Sequence, residues 1–320
     1  MKFAITGGSG FIGSNYILNL LKCESNLVIN IDRRKSLIHD IRKITHLVDI
    51  NDYQIFSKVL LDFQPDFIIH LAARTDLDGM SLEDYDSNIT GVKNLMKIAQ
   101  ELPNLKKIIV TSSMLVCRAG YYPKDQFDYS PSTLYGQSKV ETEKITWANK
   151  PNCDWAIIRP TSIWGPWFGV PYKDFFDMVI AHRYFHIGNK GCTKTYGYVE
   201  NSVYQIEQIL FNETLDENRK VFFIGDNPAT NIEEWGNEIA AELGYKILKI
   251  PYFLIKMAAL LGDFLKIAGV KFPITSFRLR NMTTNNVIDL TDTYKIAPNP
   301  PFTRVEGVKR TLNWIKHNNQ

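Results

Sequence analysis

The chain opens on an apolar run, Lys2-Phe3-Ala4-Ile5, that breaks directly into Thr6-Gly7-Gly8-Ser9-Gly10-Phe11-Ile12-Gly13. Few short stretches restrict a fold as tightly. Gly7, Gly10 and Gly13 are spaced so that each removes a Cβ from a tight turn, from the approach of a pyrophosphate, or from helix-on-strand packing. An amphipathic stretch from Asn15 to Cys23 follows, with Tyr16, Leu20 and Cys23 on one face, and a second apolar run from Leu27 ends at Asp32. The spacing predicts strand, glycine turn, helix and strand, with the helix N-terminus, including Phe11 and Ile12, offering N–H groups to phosphates. Asp32, nineteen residues beyond Gly13, stands where a carboxylate bonds the hydroxyls of an adenosine ribose.

The same alternation continues. Thr45 to Ile50 reads as a third strand, with Asp49 near its end in reach of an adenine amino group. A helix is expected from Asp52 to Phe63, and Asp66 to Ala73 is a continuous apolar run of the kind buried parallel strands show. Strands alternating with helices imply an α/β, doubly wound parallel (Rossmann) sheet, with the ligand at the carboxyl ends of its strands. Leu71, Ala72 and Ala73 lie at such an end, and the two alanines are small enough for a dinucleotide to rest against the backbone. His70, inside an apolar strand, reads as a core histidine. A long helix from Ser81 to Glu101 carries Asn88, and Lys107 to Ser113 is a strand ending in the hydroxyls of Thr111, Ser112 and Ser113.

From Pro131 the residues have helix-start chemistry, with Ser132 as the candidate N-cap and helix propensity through Asn149. Tyr135 and Lys139 are then one turn apart on one face. A free phenol is a poor base; an ammonium beside it, and a positive ring in the cleft, favour the phenolate.

A length of 320 residues with 45% apolar content is ample for one large domain or two modest ones. We place the dinucleotide-binding domain at residues 1–163 and a mainly substrate-binding lobe at 164–320, with some segments of it returning to the first domain. The net charge of +3 is spread without a basic block, which argues against nucleic acid. Cys23, Cys117, Cys153 and Cys192 form no C-x-x-C pair and read as reduced, in a cytoplasmic setting. The first strand begins at Lys2, which leaves no room for a signal peptide. Pro251 to Val270 is strongly apolar but interrupted by Lys256, Asp263 and Lys266, so a packed helix is expected there rather than a membrane span, with shallow interfacial contact as the alternative. His182 and His186 stand four apart, but without H-E-x-x-H or a third ligand no metal site is assigned. Trp164, Trp167, Phe168 and Tyr172 either stack on a nucleotide base or fill the core of the lobe.

With the glycine turn, Asp32, His70-Leu71-Ala72-Ala73, Asn88, Thr111-Ser112-Ser113 and Tyr135-x-x-x-Lys139 in order, the chain resembles the extended short-chain dehydrogenase/reductase family. More narrowly it resembles the NAD-dependent epimerase/dehydratase group that acts on nucleotide sugars. Ile157-Ile158-Arg159-Pro160, Gly165-Pro166, and Pro298 to Trp314 extend the resemblance over nearly the full length. It implies NAD held by Gly7, Gly10, Phe11, Ile12, Gly13, Asp32, Arg33, Asp49, Ile50, Leu71, Ala72, Ala73, Asn88, Thr111, Tyr135, Lys139 and Pro160. Tyr135 is then the acid/base, Ser113 holds the substrate oxygen, and Lys139 bonds the nicotinamide ribose. Arg74, Ser113, Lys194 and Arg280 are the substrate candidates. A homodimer through the helices around 81–101 and 132–149 is implied as well.

Family dehydratases carry an Asp-Glu pair directly after the active-site hydroxyl, where this chain has Met114 and Leu115, so dehydration is disfavoured. Cys117 and Arg118 stand where the family often has Tyr-Gly, and Lys194 where it has an arginine; a lysine neutralises phosphate without the bidentate fork. Asp32 repels a 2′-phosphate and favours NAD, while Arg33 and Arg34 make NADP the alternative. The reading is an NAD-dependent epimerase of a nucleotide-diphosphate sugar, acting through a keto-sugar intermediate. The alternatives are a net reductase or dehydrogenase of a keto sugar or 3β-hydroxysteroid-like alcohol, and a dinucleotide-sensing binding protein.

Overall fold

The computed structural model describes residues 1–188, 191–267 and 275–318. Chain contacts divide it into two compact units: residues 1–167, 197–226 and 289–302, and residues 168–196, 227–288 and 303–320.

The first unit is built on a parallel sheet. Its strands are β1 (Lys2–Thr6), β2 (Leu27–Asp32), β3 (Thr45–Leu47), β4 (Phe67–His70), β5 (Lys107–Thr111), β6 (Asp154–Pro160) and an edge strand, Val221–Ile224. Their order across the sheet is edge strand, β6, β5, β4, β1, β2, β3, and every pairing is parallel. The chain reverses direction of travel between β1 and β4, where a doubly wound sheet opens its crevice.

Side chains alternate along each strand, so neighbours bury on opposite faces. Ala4, Ile68, Ile108, Val110 and Ile157 pack on one face with Phe56 and Leu60 of α3 (Tyr53–Phe63) and Val92 and Leu95 of α4 (Asp86–Ala99). Phe3, Ile5, Ile69, Ile109 and Ile158 pack on the other with Tyr16, Ile17 and Leu20 of α1 (Phe11–Leu20), and with Val203 and Ile206 of the Val199–Phe211 helix. Burial on both faces is why these strands read as unbroken apolar runs. The short α2 (His39–Lys43) and α5 (Leu134–Ala148) complete the helices used below.

Several boundaries moved, β4 ending at His70 and β5 at Thr111 among them. α1 starts at Phe11, directly after the glycine turn, and not at Asn15. The Ser81–Glu101 segment divides into a 3-10 turn, Glu83–Tyr85, and α4. β3 ends at Leu47, because the Asp49 carboxylate accepts the Asn51 N–H at 2.9 Å and turns the chain toward α3. The run Asn286-Val287-Ile288-Asp289, whose residue types suggest a strand, is not one; Asn286 forms an isolated bridge to Lys194.

The second unit has an aromatic core. Phe175, Phe176, Tyr184, Tyr196 and Trp235 meet with ring centroids 4.8 to 6.3 Å apart. Phe168 is buried edge-on against Phe176, and Tyr172 stands edge-on to Tyr196. In the first unit Trp164 is buried against Tyr198. These rings fill cores. His186 lies in the strand His186–Ile187 with Nε2 2.9 Å from Asn237 Oδ1, whereas His182 stacks on Tyr245, so the two histidines do not share a helix face. The Tyr252–Ile267 helix packs Ile255 and Ala259 against Ile187 and Leu279. No helix among the described residues is long and apolar enough to cross a membrane.

Candidate active site

The carboxyl ends of β1, β2, β4 and β5 carry most of the residues singled out in the sequence. At the first of them Gly7 adopts φ +72°, and a Cβ there would lie 2.6 Å from the Ala72 backbone nitrogen. A Cβ on Gly13 would lie 2.5 Å from the Gly7 carbonyl oxygen. The turn is therefore pressed against both the Leu71–Ala72 backbone and its own helix, a cradle only glycine permits. Gly10 is the N-cap of α1 and Ser14 N–H donates to its carbonyl at 2.8 Å. The group implied for this cradle is a dinucleotide, and the bare turn with an acidic neighbour fits it. Asp32 is buried at the end of β2, where Oδ2 accepts from Ser9 N–H at 3.0 Å and Oδ1 from Arg34 N–H at 2.9 Å. Both bonds fix the carboxylate's orientation. Arg33 and Asp49, both exposed, border a polar cavity of about 470 Å³ that Asn51 and Asp86 also line, and Ile50 is buried against Gly91.

Thr6 Oγ1 accepts the Ala72 N–H at 3.2 Å and lies 2.8 Å from His70 Nδ1. Which of the two groups donates in the Thr6–His70 bond is set by the ring's tautomer, since the Thr6 oxygen has a lone pair beyond the one that takes Ala72 N–H. Burial, followed by the charge of Lys139, pushes the His70 imidazole down to about 3, so it stays neutral. Its Nε2 and the Thr111 hydroxyl are buried without a partner among the described residues. Two such groups at adjacent strand ends mark a place where a polar ligand completes the bonding.

Tyr135 and Lys139 sit in the first turns of α5. The helix is capped by Thr133, whose hydroxyl accepts the Gly136 N–H at 3.0 Å, and not by Ser132. Both functional side chains are buried, as is Ser113. Burial pushes the Tyr135 phenol up to about 12, against a hydrogen bond with Ser113 that lowers it. The sequence expectation was that Lys139 would lower it; in the protein without ligand desolvation outweighs any such effect. Burial also pushes the Lys139 ammonium down to about 8, with Glu143 acting in the opposite sense. Ser113 Oγ accepts the Leu115 N–H at 3.1 Å, which fixes the position of that hydroxyl.

Asn88, named by the resemblance for the cofactor, is held by protein partners on the first unit. Its Oδ1 accepts Arg74 N–H at 2.8 Å, and its amide donates to the Arg74 carbonyl at 3.0 Å and to Ser138 Oγ at 2.9 Å. Both donors are spent on protein, so Asn88 ties the Arg74 loop to α5. Arg74 is likewise engaged: Nε and Nη2 fork onto Asp76, and Nη1 donates to the Asp84 carbonyl at 3.0 Å. Pro160 closes β6. Lys194 and Arg280 belong to the second unit, Lys194 in a two-residue strand paired with Thr230 and Arg280 exposed in the Ser276–Thr283 helix.

Three residues were passed over in the sequence. A Cβ on Gly136 would fall closer to the Leu115 carbonyl oxygen than real Cβ contacts come, so this glycine lets α5 approach the segment after Ser113. Glu143, one turn beyond Lys139, accepts Ser112 Oγ at 2.5 Å and Tyr129 OH at 3.0 Å. Arg159 completes its shell through Nε at 2.8 Å and Nη2 at 2.7 Å, with both side chains fully buried. The signal was present: Tyr135, Lys139 and Glu143 recur at a spacing of four, a stripe that continues past the pair.

The family model described as NAD dependent epimerase/dehydratase matches residues 3–209. The chain belongs to that family. It is similar to N-acetyl-alpha-D-glucosaminyl-diphospho-ditrans,octacis-undecaprenol 4-epimerase of Escherichia coli O157:H7, at 29% identity over 97% of this chain and 94% of that one. Among solved structures, UDP-glucuronic acid 4-epimerase from Bacillus cereus in complex with NAD superposes with a TM-score of 0.76 at 19% identity, covering 99% of this chain and 97% of that one. UDP-glucose 4-epimerase from Thermotoga maritima with UDP-glucose gives 0.75 at 19% identity, over 100% of both chains. The doubly wound parallel sheet is thus the fold of this family, as its spacing of strands and helices indicated.

Proposed function

We propose that the protein is an NAD-dependent epimerase that inverts a hydroxyl-bearing carbon of a diphosphate-linked sugar. The observation that carries the reading is the burial of Ser113, Tyr135 and Lys139 together, on the same unit as a turn in which a Cβ on Gly7 or Gly13 would collide with backbone. Gly7, Gly10, Gly13 and Asp32 would hold the adenosine diphosphate half of the cofactor, and Lys139 the nicotinamide ribose. Bound NAD supplies a reversible hydride acceptor and a positive charge that favours the phenolate. Tyr135 Oη takes the proton of the sugar hydroxyl and returns it after the keto sugar has turned over. Ser113 Oγ, fixed by Leu115 N–H, orients the substrate oxygen. Met114 and Leu115 have no proton to exchange, which supports epimerisation over loss of water. We further infer a homodimer through α4 and α5, and a cytoplasmic setting.

C4 is the carbon this reading favours, since all three similar proteins named above are 4-epimerases. The substrate class is a nucleoside-diphosphate sugar. A second carrier, a polyprenyl diphosphate, is favoured by one observation, the full-length likeness to the undecaprenol-linked epimerase. The test is product NMR on a panel of both sugar classes, with the nicotinamide absorbance followed in parallel. Epimer formation without net absorbance change is expected, and Tyr135→Phe abolishes it while NAD affinity stays within about threefold. Stoichiometric consumption of reduced cofactor would instead make the protein a net reductase, and full activity in Tyr135→Phe would remove the assignment.

A further inference from the structure

The Tyr252–Ile267 helix is apolar on two sides. One side, Ile255, Ala259 and Gly262, is buried in the second unit. The other carries Phe253, Leu254, Met257, Leu260, Leu261 and Phe264, all exposed, with Phe264 69% accessible. At 3.6 residues per turn these six cover a continuous arc of about 120° along a helix about 24 Å long. A surface helix ordinarily turns charged residues outward, and an apolar stripe of this size marks a binding face.

The charge around it says what it binds. Between Tyr245 and Arg280 the sequence carries seven lysines and arginines against one acid, Asp263. That segment is strongly basic in a chain whose whole net charge is only +3, so the remainder is net acidic. The one acid is already engaged, accepting the Ser276 N–H at 3.1 Å. Lys249 is paired with Glu233 at 3.3 Å, while Lys256 is exposed beside the stripe. Another protein's apolar groove would need no such excess of cations, whereas an anionic bilayer surface matches both features together.

We propose that this helix lies in the plane of an anionic lipid surface, with Phe253, Met257, Leu260 and Phe264 entering the headgroup boundary and Lys256 meeting lipid phosphates. The helix does not span the bilayer; it is too short, and its other side is committed to the core. The inference goes beyond the proposed activity, and because lipid binding is read without turnover, either can fail while the other stands.

The test is flotation of the full chain with vesicles of phosphatidylcholine alone, and of phosphatidylcholine and phosphatidylglycerol in equal parts. Wild type is expected to float with the mixed vesicles, less so as salt rises. A Leu260→Glu/Phe264→Glu double variant, and a milder Met257→Ser/Leu260→Ser variant should the first not fold, are expected to lose at least about tenfold in partitioning. Far-UV circular dichroism and thermal melting check that the variants are folded. Absence of flotation on both vesicles, or equal flotation of the folded variants, overturns the proposal. So does a dimer that the same substitutions dissociate in a protein that binds no lipid, which would assign the face to a second copy of the chain.

Discussion

Arg159 closes a fork on Glu143, a residue four positions beyond Lys139, at a point where neither side chain reaches solvent. The carboxylate also receives Ser112 and Tyr129, so one buried anion links the end of β5 to the helix that carries Tyr135. Removing one partner leaves the other charge buried and unpaired. Arg159→Met is expected to lower unfolding free energy by about 3 to 5 kcal/mol, measured by urea denaturation. Glu143→Gln keeps the shape and should fall between the two. Unchanged midpoints in both would mean the fork contributes nothing.

Gly136 tests how closely α5 must approach the Ser113 segment. A methyl group there meets the Leu115 carbonyl, a backbone atom that cannot swing aside. Gly136→Ala should cost roughly 1 to 3 kcal/mol by overpacking. By separating Tyr135 from Ser113 it should lower kcat about a hundredfold or more while NAD affinity is kept. Loss of cofactor affinity in step with kcat would show that the helix, rather than the pair, had been disturbed.

His70 gives a pH dependence whose sign is fixed. Its imidazole is held near 3 against an ordinary value of 6.5, chiefly by burial. Between those values the unfolded chain binds more protons than the folded one, so stability falls as pH falls through 6.5 toward 3. The expected contribution is about 1.4 kcal/mol per pH unit within that window. His70→Asn should flatten the acid limb of a stability–pH curve measured from pH 7 to 4, and leave the neutral region nearly parallel to wild type. Parallel curves throughout would count against a buried neutral ring.

Asp32 is expected to decide between coenzymes. Its carboxylate is oriented by Ser9 and Arg34 N–H groups, with Arg33 exposed alongside. Asp32→Ser removes the negative charge facing a 2′-phosphate while Arg33 and Arg34 stay in place. The ratio of NADP to NAD affinity, by titration calorimetry, should rise at least about tenfold, with a stability loss of about 1 to 2 kcal/mol from the freed N–H groups. An unchanged ratio would place the ribose elsewhere.

Much of the site was legible because its requirements are local. A glycine that must reach φ +72°, a carboxylate ending the second strand, and a phenol one turn from an ammonium are each stated by residue type and spacing alone. The two-faced sheet followed from unbroken apolar runs, whose successive side chains bury on opposite faces. What stayed hidden depends on partners distant in sequence. Asn88 is consumed by Arg74 and Ser138, Arg74 by Asp76, and neither pairing can be inferred from either residue by itself. The phenol's acidity is the clearest case. A sequence shows the ammonium four residues away but not the desolvation, and in the folded protein desolvation dominates. Chain order thus determined which groups could do the chemistry, and tertiary packing decided their protonation and freedom, because burial and hydrogen bonding belong to neighbours that only folding brings together.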